Sequence, residues 1–572
     1  MFVRFLLTLA TIASLTTVAR GAPAVYLTWS QIPTTTISSE IQSFVTAGYA
    51  TAGDQGAGCF YRRGASSDPG AVQSADGAWW GFDSTQIMYA RCFGIFGSGD
   101  VTAAINSMMS QIGLFGDVQF DSQTYNVSSQ VALYAGTIMG NGVEATKFNY
   151  TGSDCFLKLQ GNFAKIQNFS ITGPGSKAAG TSCGVQLGDS ALGCCPRGQT
   201  VRDVSIRDMP TYGIDVVGST NFLIDNDDIY DTGIYGIRVR NYGNADSGDS
   251  SISNSRILNS NSTCDGAAPT AIGNAGIEAI TAAGLRIVGN KIFGFPNGIE
   301  YSQEDGKTSS VATISANSIE NQCLSNIHLG MQGPLGTGKI AGLAITGNEL
   351  LQTPSGTHSY NILIDGEGVD TVAITGNLLR GAYIATPPVQ HGLYIARGTS
   401  IAVSGNVFNF LYSGIYFDPA ASDRITVGTN NYDQVRYRLI DYRPLSSSPI
   451  DTTDVATVNV FSTSDYTNYW RLAIPDYRSA NLKVTVSAIA NGAGTVSRTV
   501  EVRAVNDGST VTATIITDYS SGPPVDLAFD TTSSSGHVVV KMKRNSGDGA
   551  SSIQGSISLA RIAGNIQSFT KF

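Results

Sequence analysis

The chain has 572 residues, of which 42 % are hydrophobic and 14 % charged, and 65 of them are glycine. This length exceeds one ordinary compact domain unless the chain consists of repeats, and the hydrophobic content argues against global disorder. The net charge of −9 argues against nucleic acid or an anionic membrane surface as the main partner, since both favour a basic protein surface.

Residues 1–24 have the features of a secretory signal peptide. Arg4 supplies a positive charge, an apolar run extends to Val18, and Ala22-Pro23-Ala24 is a small-x-small cleavage site. We therefore expect a secreted, periplasmic or cell-surface protein, and a buried first strand is the alternative interpretation. No later run reaches transmembrane length, which predicts that the protein is not an integral membrane protein.

The eight cysteines would then lie in an oxidising compartment, where disulfides persist. None of them has the paired CxxC spacing of a zinc site. We expect some of them to be disulfide-bonded, and one candidate bond joins Cys183 to Cys194 or Cys195.

A head and helical cap are predicted over residues 25–115. Residues 102–112 have the best helical pattern in the chain and are suited to cap a solenoid. Segments with alternating apolar residues begin after residue 116 and are interpreted as the first coils.

Two short phrases then alternate through residues 116–443. The first, Gly-apolar-x-apolar, occurs at Gly213–Val216 and Gly298–Tyr301, and the second, apolar-x-Gly-Asn-x-apolar, occurs around Asn348 and Asn377. Degenerate copies of the second phrase place Asn168, Asp203, Asp227, Ser255 and Asn430 in the Asn position. Apolar spacing of two residues predicts strands, and strand–turn–strand units of this size stack as a parallel β-helix. A β-sandwich with coincidental Gly-Asn turns is the alternative.

The Asn position has a physical explanation. A sharp turn favours a residue that tolerates the left-handed conformation, and stacked Asn side chains can hydrogen-bond along the stack.

The repeat stops after Tyr442. Residues 444–454 include a Pro- and Ser-rich stretch and are predicted to be a linker. Residues 455–572 contain alternating strands and the hairpin signal Asn506-Asp507-Gly508, which predict a C-terminal β-sandwich. A simple cap that closes the last coil is the alternative.

The head carries the motifs Gly48-Tyr49, Gly53-Asp54-Gln55-Gly56-Ala57-Gly58-Cys59-Phe60 and Phe93–Ile105. Together with the repeats, they resemble the pectate-lyase-like superfamily, in the branch that includes bacteriophage tailspike depolymerases. The resemblance implies an all-β, right-handed single-stranded parallel β-helix, a polysaccharide partner and, from the C-terminal part, a possible homotrimer. The third motif is shortened here and lacks the usual second acidic cluster, and the motifs are structural, so they do not identify a reaction.

The variable residue x of the first phrase lies between two inward apolar residues and therefore faces outward. Because the coils stack about 4.8 Å apart, these residues should form one column. In chain order the column contains Gln186, Asp215, Arg238, Glu278, Glu300, His328, Leu363, Tyr394 and Tyr416. A second outward column, two residues further along each strand, contains Arg240, Ser302, Asp365 and Asp418.

Glu278 and Glu300 are the candidate catalytic pair. Like charges on adjacent coils repel, so one carboxyl pKa should rise, as in a general acid beside a carboxylate. Glu300 is the candidate acid and Glu278 the candidate base or nucleophile, with exchangeable roles, and Asp215 and Asp365 are further candidates. A solvated surface position is the alternative for each of them. The predicted substrate-binding residues are Arg238, Arg240, His328, Tyr394, Tyr416 and Asp418.

The favoured function is hydrolysis of glycosidic bonds by two carboxylates. One alternative is a polysaccharide lyase or uronate epimerase, with Arg238, His328, Tyr394 or Ca²⁺ assisting proton abstraction. Another is a non-catalytic carbohydrate-binding adhesin. Asp225, Asp227, Asp228 and Asp231 form an acid-rich turn where Ca²⁺ is possible but a solvated turn is favoured, so no cofactor or metal ligand is predicted.

Overall fold

The computed structural model describes residues 27–441 except for gaps at 83–86, 98, 113–115, 190–195, 242–246, 261–274, 332–337, 353–357, 383–388, 419 and 422–423. Beyond residue 441 it describes mainly the backbone of strands between residues 453 and 571. The predicted signal peptide and most of the predicted linker lie outside the described residues.

The head combines a small antiparallel sheet with short helices. Its four strands are Ser43–Val45, Phe60–Gly64, Val72–Gln73 and Trp79–Gly81. Two 3-10 helices, Trp29–Thr34 and Ala90–Phe93, flank the sheet. The α-helix Thr102–Ile112 coincides with the segment predicted to be helical, and its buried face includes Ile105 and Met108.

Asp54 explains one head motif. Its carboxylate accepts hydrogen bonds from the backbone N–H groups of Tyr49, Ala50, Thr51 and Gly56. The motif therefore stabilises a turn, which agrees with the structural role expected for it.

Parallel strands from the middle of the chain stack into one long sheet, called the site sheet here because it carries the predicted site. Its strands are Val131–Leu133, Cys155–Leu159, Cys183–Leu187, Tyr212–Val217, Tyr235–Arg240, Ala275–Ile280, Asn297–Gln303, Ser325–Met331, His358–Ile364, Val389–Ile395, Ser413–Phe417 and Tyr437–Asp441. Each strand pairs in parallel with the corresponding strand of the next coil.

The remaining strands of the coils form a second parallel sheet that runs as two adjoining rows and is called the double sheet here. Its strands are Met88–Tyr89, Asp117–Gln119, Thr124–Val127, Thr137–Met139, Lys147–Tyr150, Lys165–Thr172, Thr200–Arg207, Leu223–Asp225, Asp228–Tyr230, Ser251–Ser253, Arg256–Leu258, Arg286–Val288, Lys291–Phe293, Thr308–Ser310, Thr313–Ser315, Ser318–Glu320, Lys339–Thr346, Glu349–Leu351, Val369–Thr375, Leu378–Arg380, Thr399–Ser404, Val407–Asn409, Ile425–Val427 and Asn431–Asp433. The predicted parallel β-helix is thereby confirmed, and the β-sandwich alternative for this part of the chain is excluded.

The core lies between the two sheets and is a stack of aliphatic side chains. Ile214, Ile237 and Ile277 of successive site-sheet strands are fully buried. The glycine of the first phrase gives this core its close packing: a Cβ on Gly213 would lie 2.5 Å from Cγ2 of Ile229 and 2.7 Å from the carbonyl oxygen of Gly236. A side chain there would collide with the opposite sheet and with the next coil.

The Asn residues of the second phrase form a buried ladder. Its members are Asn290, Asn317, Asn348, Asn377, Asn406 and Asn430. In a typical step, Oδ1 of Asn348 accepts hydrogen bonds from both the backbone N–H and the side-chain amide of Asn317, at 3.0 and 2.9 Å. The same amide also donates to the carbonyl of Ile287. The predicted hydrogen-bonded stack is confirmed.

The residue immediately before a ladder member adopts the left-handed backbone conformation. Gly289 and Gly347 have φ of 71° and 65°. Asn168 and Asp203, with φ of 64° and 54°, occupy this left-handed position, so their assignment to the Asn position was wrong by one residue. Asp227 does occupy the ladder, where it accepts a hydrogen bond from the backbone N–H of Val204.

Two disulfides are described. Cys59–Cys92 joins the head sheet to the second 3-10 helix, and Cys155–Cys183 joins two adjacent coils. The proposed bond from Cys183 to Cys194 or Cys195 was wrong, because Cys183 lies directly beside Cys155 in the parallel register, with a Cα–Cα distance of 4.2 Å.

The C-terminal strands pair in antiparallel fashion. Five of them form one sheet: Thr453–Val460, Arg478–Ala490, Gly494–Asn506, Val511–Ser521 and Ile553–Gly564. Four others form a second group: Thr467–Ala473, Val525–Thr532, His537–Arg544 and Ser568–Lys571. The last strand pairs with Tyr437–Asp441, so the second group continues the site sheet. Within the described residues, no helix is long and apolar enough to span a membrane.

Candidate functional site

The predicted column exists in the predicted register. Each residue from Gln186 to Tyr416 is the direct Cα partner of the next one along the stack. At about 4.8 Å for each coil, the seven steps from Asp215 to Tyr416 span roughly 34 Å. This face is long enough to contact several units of a chain polymer.

Three of the four predicted acids are buried, although they lie outside the core. Asp215 and Glu300 are each 4 % exposed and Glu278 is 0 % exposed, whereas the Asp365 side chain is 44 % exposed. The first three are therefore not solvated surface acids. Burial of a carboxylate requires compensation, which the neighbouring side chains supply to different extents.

Asp215 forms an ion pair with a cation of the second column. Nη2 of Arg240 lies 2.9 Å from Oδ2 of Asp215, and Nε of Arg240 donates to Oδ1 of Asp215 at 3.4 Å. This two-point contact occupies both predicted residues.

Glu278 is held by Arg238 on the preceding coil. Nε of Arg238 lies 2.8 Å from Oε2 of Glu278, and the guanidinium also donates to the hydroxyl of Tyr212 at 2.9 Å. Burial raises the pKa of Glu278, while Arg238 and a hydrogen bond from Tyr235 lower it and the charge of Glu300 raises it further. The pKa shifts in the expected direction, but burial rather than repulsion between the two glutamates is the main cause.

Glu300 has weaker compensation. Oε2 of Glu300 accepts a hydrogen bond from the side-chain amide of Asn297 at 3.4 Å. Burial raises the pKa of Glu300, and His328 and Asn297 only partly oppose that shift. Glu300 therefore keeps its proton to a higher pH than an ordinary glutamate, as a general acid requires.

His328 and Asp365 form a pair next to Glu300. Nε2 of His328 lies 2.9 Å from Oδ1 of Asp365. Burial opposes protonation of His328, but Asp365 and the charge of Glu300 outweigh it and raise the pKa of His328. Gly330 leaves room for the pair, because a Cβ there would lie 2.9 Å from Nε2 of His328 and 3.2 Å from Oδ1 of Asp365.

Tyr394 and Tyr416 stack on each other. Their ring centroids lie 4.7 Å apart with an interplanar angle of 9°. The hydroxyl of Tyr394 donates to Asp418 at 2.8 Å. Since the two rings cover each other's facing sides, a sugar cannot insert between them, and their edges and hydroxyl groups are the parts left for contact with a ligand.

Comparison with known proteins agrees with this architecture. Residues 183–349 match the family model of the right-handed β-helix region. The chain is a right-handed parallel β-helix protein. A comparison with curated proteins finds no significant sequence match.

Solved β-helix structures are similar at low sequence identity. The A-module of mannuronan C-5 epimerase AlgE4 from Azotobacter vinelandii is 15 % identical, with a TM-score of 0.50 over 64 % of this chain and 100 % of that chain. Tailspike protein 2 of an Escherichia coli O157:H7 bacteriophage is 12 % identical, with a TM-score of 0.49 over 95 % and 81 %. The Streptococcus pneumoniae surface adhesin PfbA is 13 % identical, with a TM-score of 0.43 over 64 % and 92 %. At 15 % identity, the likeness to the epimerase A-module shows the fold alone and does not transfer a reaction.

A third column of this β-helix protein was missed by sequence reasoning. It consists of the residue that precedes the first phrase, and its members are Cys183, Tyr212, Tyr235, Ala275, Asn297, Ser325, Tyr360, His391 and Ser413. Tyr235 and Asn297 contact the two glutamates, and His391 packs edge-on against Tyr394 with ring centroids 5.5 Å apart. The recurrence of aromatic and polar residues before the phrase was the signal that could have revealed this column.

The acid-rich turn of the β-helix lies away from the site sheet and is largely ion-paired. Asp225 pairs with Arg202 at 2.8 Å, and Asp228 pairs with Arg256. Among the described residues, no group of three or more His, Cys, Asp or Glu side chains is arranged to hold a metal ion.

Proposed function

We propose that this chain is a secreted enzyme that hydrolyses glycosidic bonds of a polysaccharide lying along the outer face of the site sheet. The length of the polar column and the raised pKa of its glutamates support the proposal. The disulfides favour an oxidising compartment. The shared fold with a mannuronan epimerase is consistent with a carbohydrate ligand.

One observation carries the proposal. A buried carboxyl group with a raised pKa, Glu300, lies one coil from a histidine that contacts the exposed carboxylate of Asp365. A buried carboxyl group that holds its proton to higher pH, near an exposed carboxylate, is an arrangement suited to acid and base catalysis on one bond.

The roles follow from these environments. Glu300 donates its proton to the oxygen of the glycosidic bond as that bond breaks. Asp365 accepts a proton from a water molecule that attacks the anomeric carbon, and His328 holds Asp365 in position. Asp365 is preferred here to Glu278, the base expected from the sequence, because Glu278 is fully buried and paired with Arg238.

The two possible carboxyl pairs make different stereochemical predictions. Glu278 and Glu300 lie on adjacent coils, about 4.8 Å apart along the stack, close to the roughly 5–5.5 Å of retaining glycosidases. Asp365 lies two coils from Glu300 and two residues further along its strand, which places the two backbones about 12 Å apart. Because the Asp365 side chain reaches back to His328 on the intervening coil, the two carboxyl groups are closer than their backbones, and we expect a separation in the roughly 6.5–9.5 Å range of inverting enzymes. The proposed roles therefore predict inversion.

The alternative functions have less support. A lyase or epimerase must neutralise a uronate carboxylate, yet Arg238 and Arg240 are already paired with Glu278 and Asp215. A non-catalytic adhesin does not need the raised pKa of Glu300. Both remain as distinct outcomes of the experiment below.

The experiment is a polysaccharide panel with mass analysis of the products. The proposal predicts oligosaccharides that carry one added water for each cleavage, and loss of this activity in Glu300→Gln and Asp365→Asn. The matched control is Glu349→Gln, which removes an exposed carboxylate from the double sheet. Products lighter by one water would identify a lyase and overturn the proposal. Bound but uncut polymer would identify an adhesin.

A further inference from the structure

We infer that the polymer bound along the site sheet is an uncharged polysaccharide. The inference rests on the proposed function and adds the charge class of its substrate. Two features carry it: the pairing of the cations in the upper half of this face, from Lys158 to Glu278, and the surplus of acids in its lower half, from Glu300 to Asp418.

The cations in the upper half of the face are matched to carboxylates one by one. Lys158 precedes the predicted column by one coil and pairs with Asp189 at 2.9 Å. Arg240 pairs with Asp215 at 2.9 Å, and Arg238 pairs with Glu278 at 2.8 Å. An anionic sugar would have to displace a buried carboxylate from its partner to use any of these three cations.

The lower half carries more acids than bases. From Glu300 to Asp418, the two predicted columns contain Glu300, Asp365 and Asp418, and His328 is the one basic side chain among them. His328 is already in contact with Asp365. Even with Glu300 protonated and His328 charged, Asp418 leaves this half with a net negative charge.

Two further arginines, just beyond the ends of site-sheet strands, are also in contact with other side chains. Arg397, two residues after the strand Val389–Ile395, contacts Glu367. On the last coil, Arg436 lies over the rings of Tyr412 and Tyr437.

A polyanion would therefore meet net repulsion in the lower half of the face. Two unit charges about 4 Å apart interact by about 1 kcal/mol in bulk water and more in a partly desolvated groove, which corresponds to about fivefold or more in affinity for each unmatched contact. An uncharged chain avoids this cost and can hydrogen-bond to the polar edges of the columns.

The test compares a neutral polysaccharide that the wild-type protein cleaves with the same polymer oxidised at C6 to the uronate. Binding is measured with the full-length Glu300→Gln variant, to prevent turnover, in 20 mM and 300 mM NaCl. We expect the oxidised polymer to bind at least tenfold more weakly at low salt and the difference to shrink at high salt. The affinity for the neutral polymer should change less than twofold with salt.

Asp418→Asn, made in the Glu300→Gln protein, should raise the affinity for the oxidised polymer about fivefold relative to the affinity for the neutral polymer. Asp433→Asn is the matched control, because it removes one exposed carboxylate from the double sheet. It should change neither affinity.

Tighter binding of the oxidised polymer at low salt, weakened by added salt, would overturn the inference. Hydrolysis of an oxidised polymer faster than its neutral parent would also overturn it and leave the proposed hydrolase intact. Cleavage of any polymer by elimination would overturn the proposed function itself, so the two failures are distinguishable.

Discussion

The asparagine ladder and the outer column of the site sheet are built by the same coils, yet their polar groups are satisfied differently. In the ladder, each side-chain amide from Asn290 to Asn406 donates to the next asparagine and to a backbone carbonyl. In the outer column, Arg238 and Glu278 are paired, but Glu300 has one weak hydrogen bond. Among the described residues, Nδ1 of His328 has no hydrogen-bond partner.

The difference indicates where stability and chemistry reside. A fully satisfied buried network stabilises the fold and leaves nothing for a ligand. A partly satisfied one retains groups whose protonation state and hydrogen bonds are still available, as expected of a functional site. Substitutions in the ladder should therefore change stability, and substitutions in the outer column should change catalysis.

The largest effect is expected for Glu300→Gln. Loss of a general acid should lower kcat by about 10²- to 10⁴-fold. The thermal midpoint should stay equal or rise, because a buried ionisable group is replaced by a neutral isostere. Steady-state kinetics and a thermal melt measure both. Unchanged kcat would remove Glu300 from the mechanism.

The opposite result, a loss of stability without a large loss of catalytic activity, is expected for Asn348→Ala. It removes the acceptor of Asn317 and the donor to Asn377 and to a carbonyl. Leaving these buried groups unpaired should lower the free energy of unfolding by about 3 kcal/mol. Denaturant unfolding measures it. The control is Asn409→Ala, which removes a half-buried amide of the double sheet that donates to the exposed Asp433, and it should cost less than about 1 kcal/mol. Equal losses in both variants would contradict the role of the ladder.

Gly330→Ala tests the pair of His328 and Asp365 without removing either residue. The added methyl group would crowd both side chains and move them apart. We expect kcat to fall about tenfold with little change in KM, because a misplaced base stabilises the transition state less well while substrate binding is unchanged. Wild-type kcat would show that the spacing of this pair is not used in catalysis.

Asp227→Asn, a substitution at a ladder position, should stabilise the protein. Oδ2 of Asp227 is buried and has no hydrogen-bond partner among the described residues. Burial, opposed by a backbone hydrogen bond and reinforced by Asp203 and Asp225, raises the pKa of Asp227 well above its ordinary value.

Because the folded-state pKa of Asp227 exceeds the unfolded one, stability is greatest below the unfolded pKa and is lost as the pH rises through the folded pKa. The Asn variant lacks this loss. We expect a gain of about 1 kcal/mol, larger at pH 8 than at pH 5. A gain that is absent at pH 8 would show that Asp227 is not protonated in the folded protein.

The smallest effect is expected for Asn297→Ala. Asn297 lowers the pKa of Glu300 by hydrogen-bonding to its carboxylate, so its removal should raise that pKa further. The alkaline limb of the kcat profile, where Glu300 loses its proton, should move to higher pH by less than one unit. A shift to lower pH would contradict the assignment of that limb to Glu300.

The sequence was sufficient to predict the β-helix and the register of its outer column, because both depend on a repeated phrase with a constant internal spacing. It did not predict which column members would be buried. That property depends on neighbours such as Tyr235 and Asn297, which precede the phrase, and on ion pairs between coils. The one-residue error at Asn168 and Asp203 arose because Asn and Asp suit both the ladder and the left-handed position before it.

The most direct test of the central claim is proton NMR of the first reducing end released from a cleaved polysaccharide, recorded before mutarotation. With Glu300 as acid and Asp365 as base, the released anomer should have the configuration opposite to that of the bond that was cut. Release of the same configuration would contradict this account and favour Glu278 as a nucleophile beside Glu300.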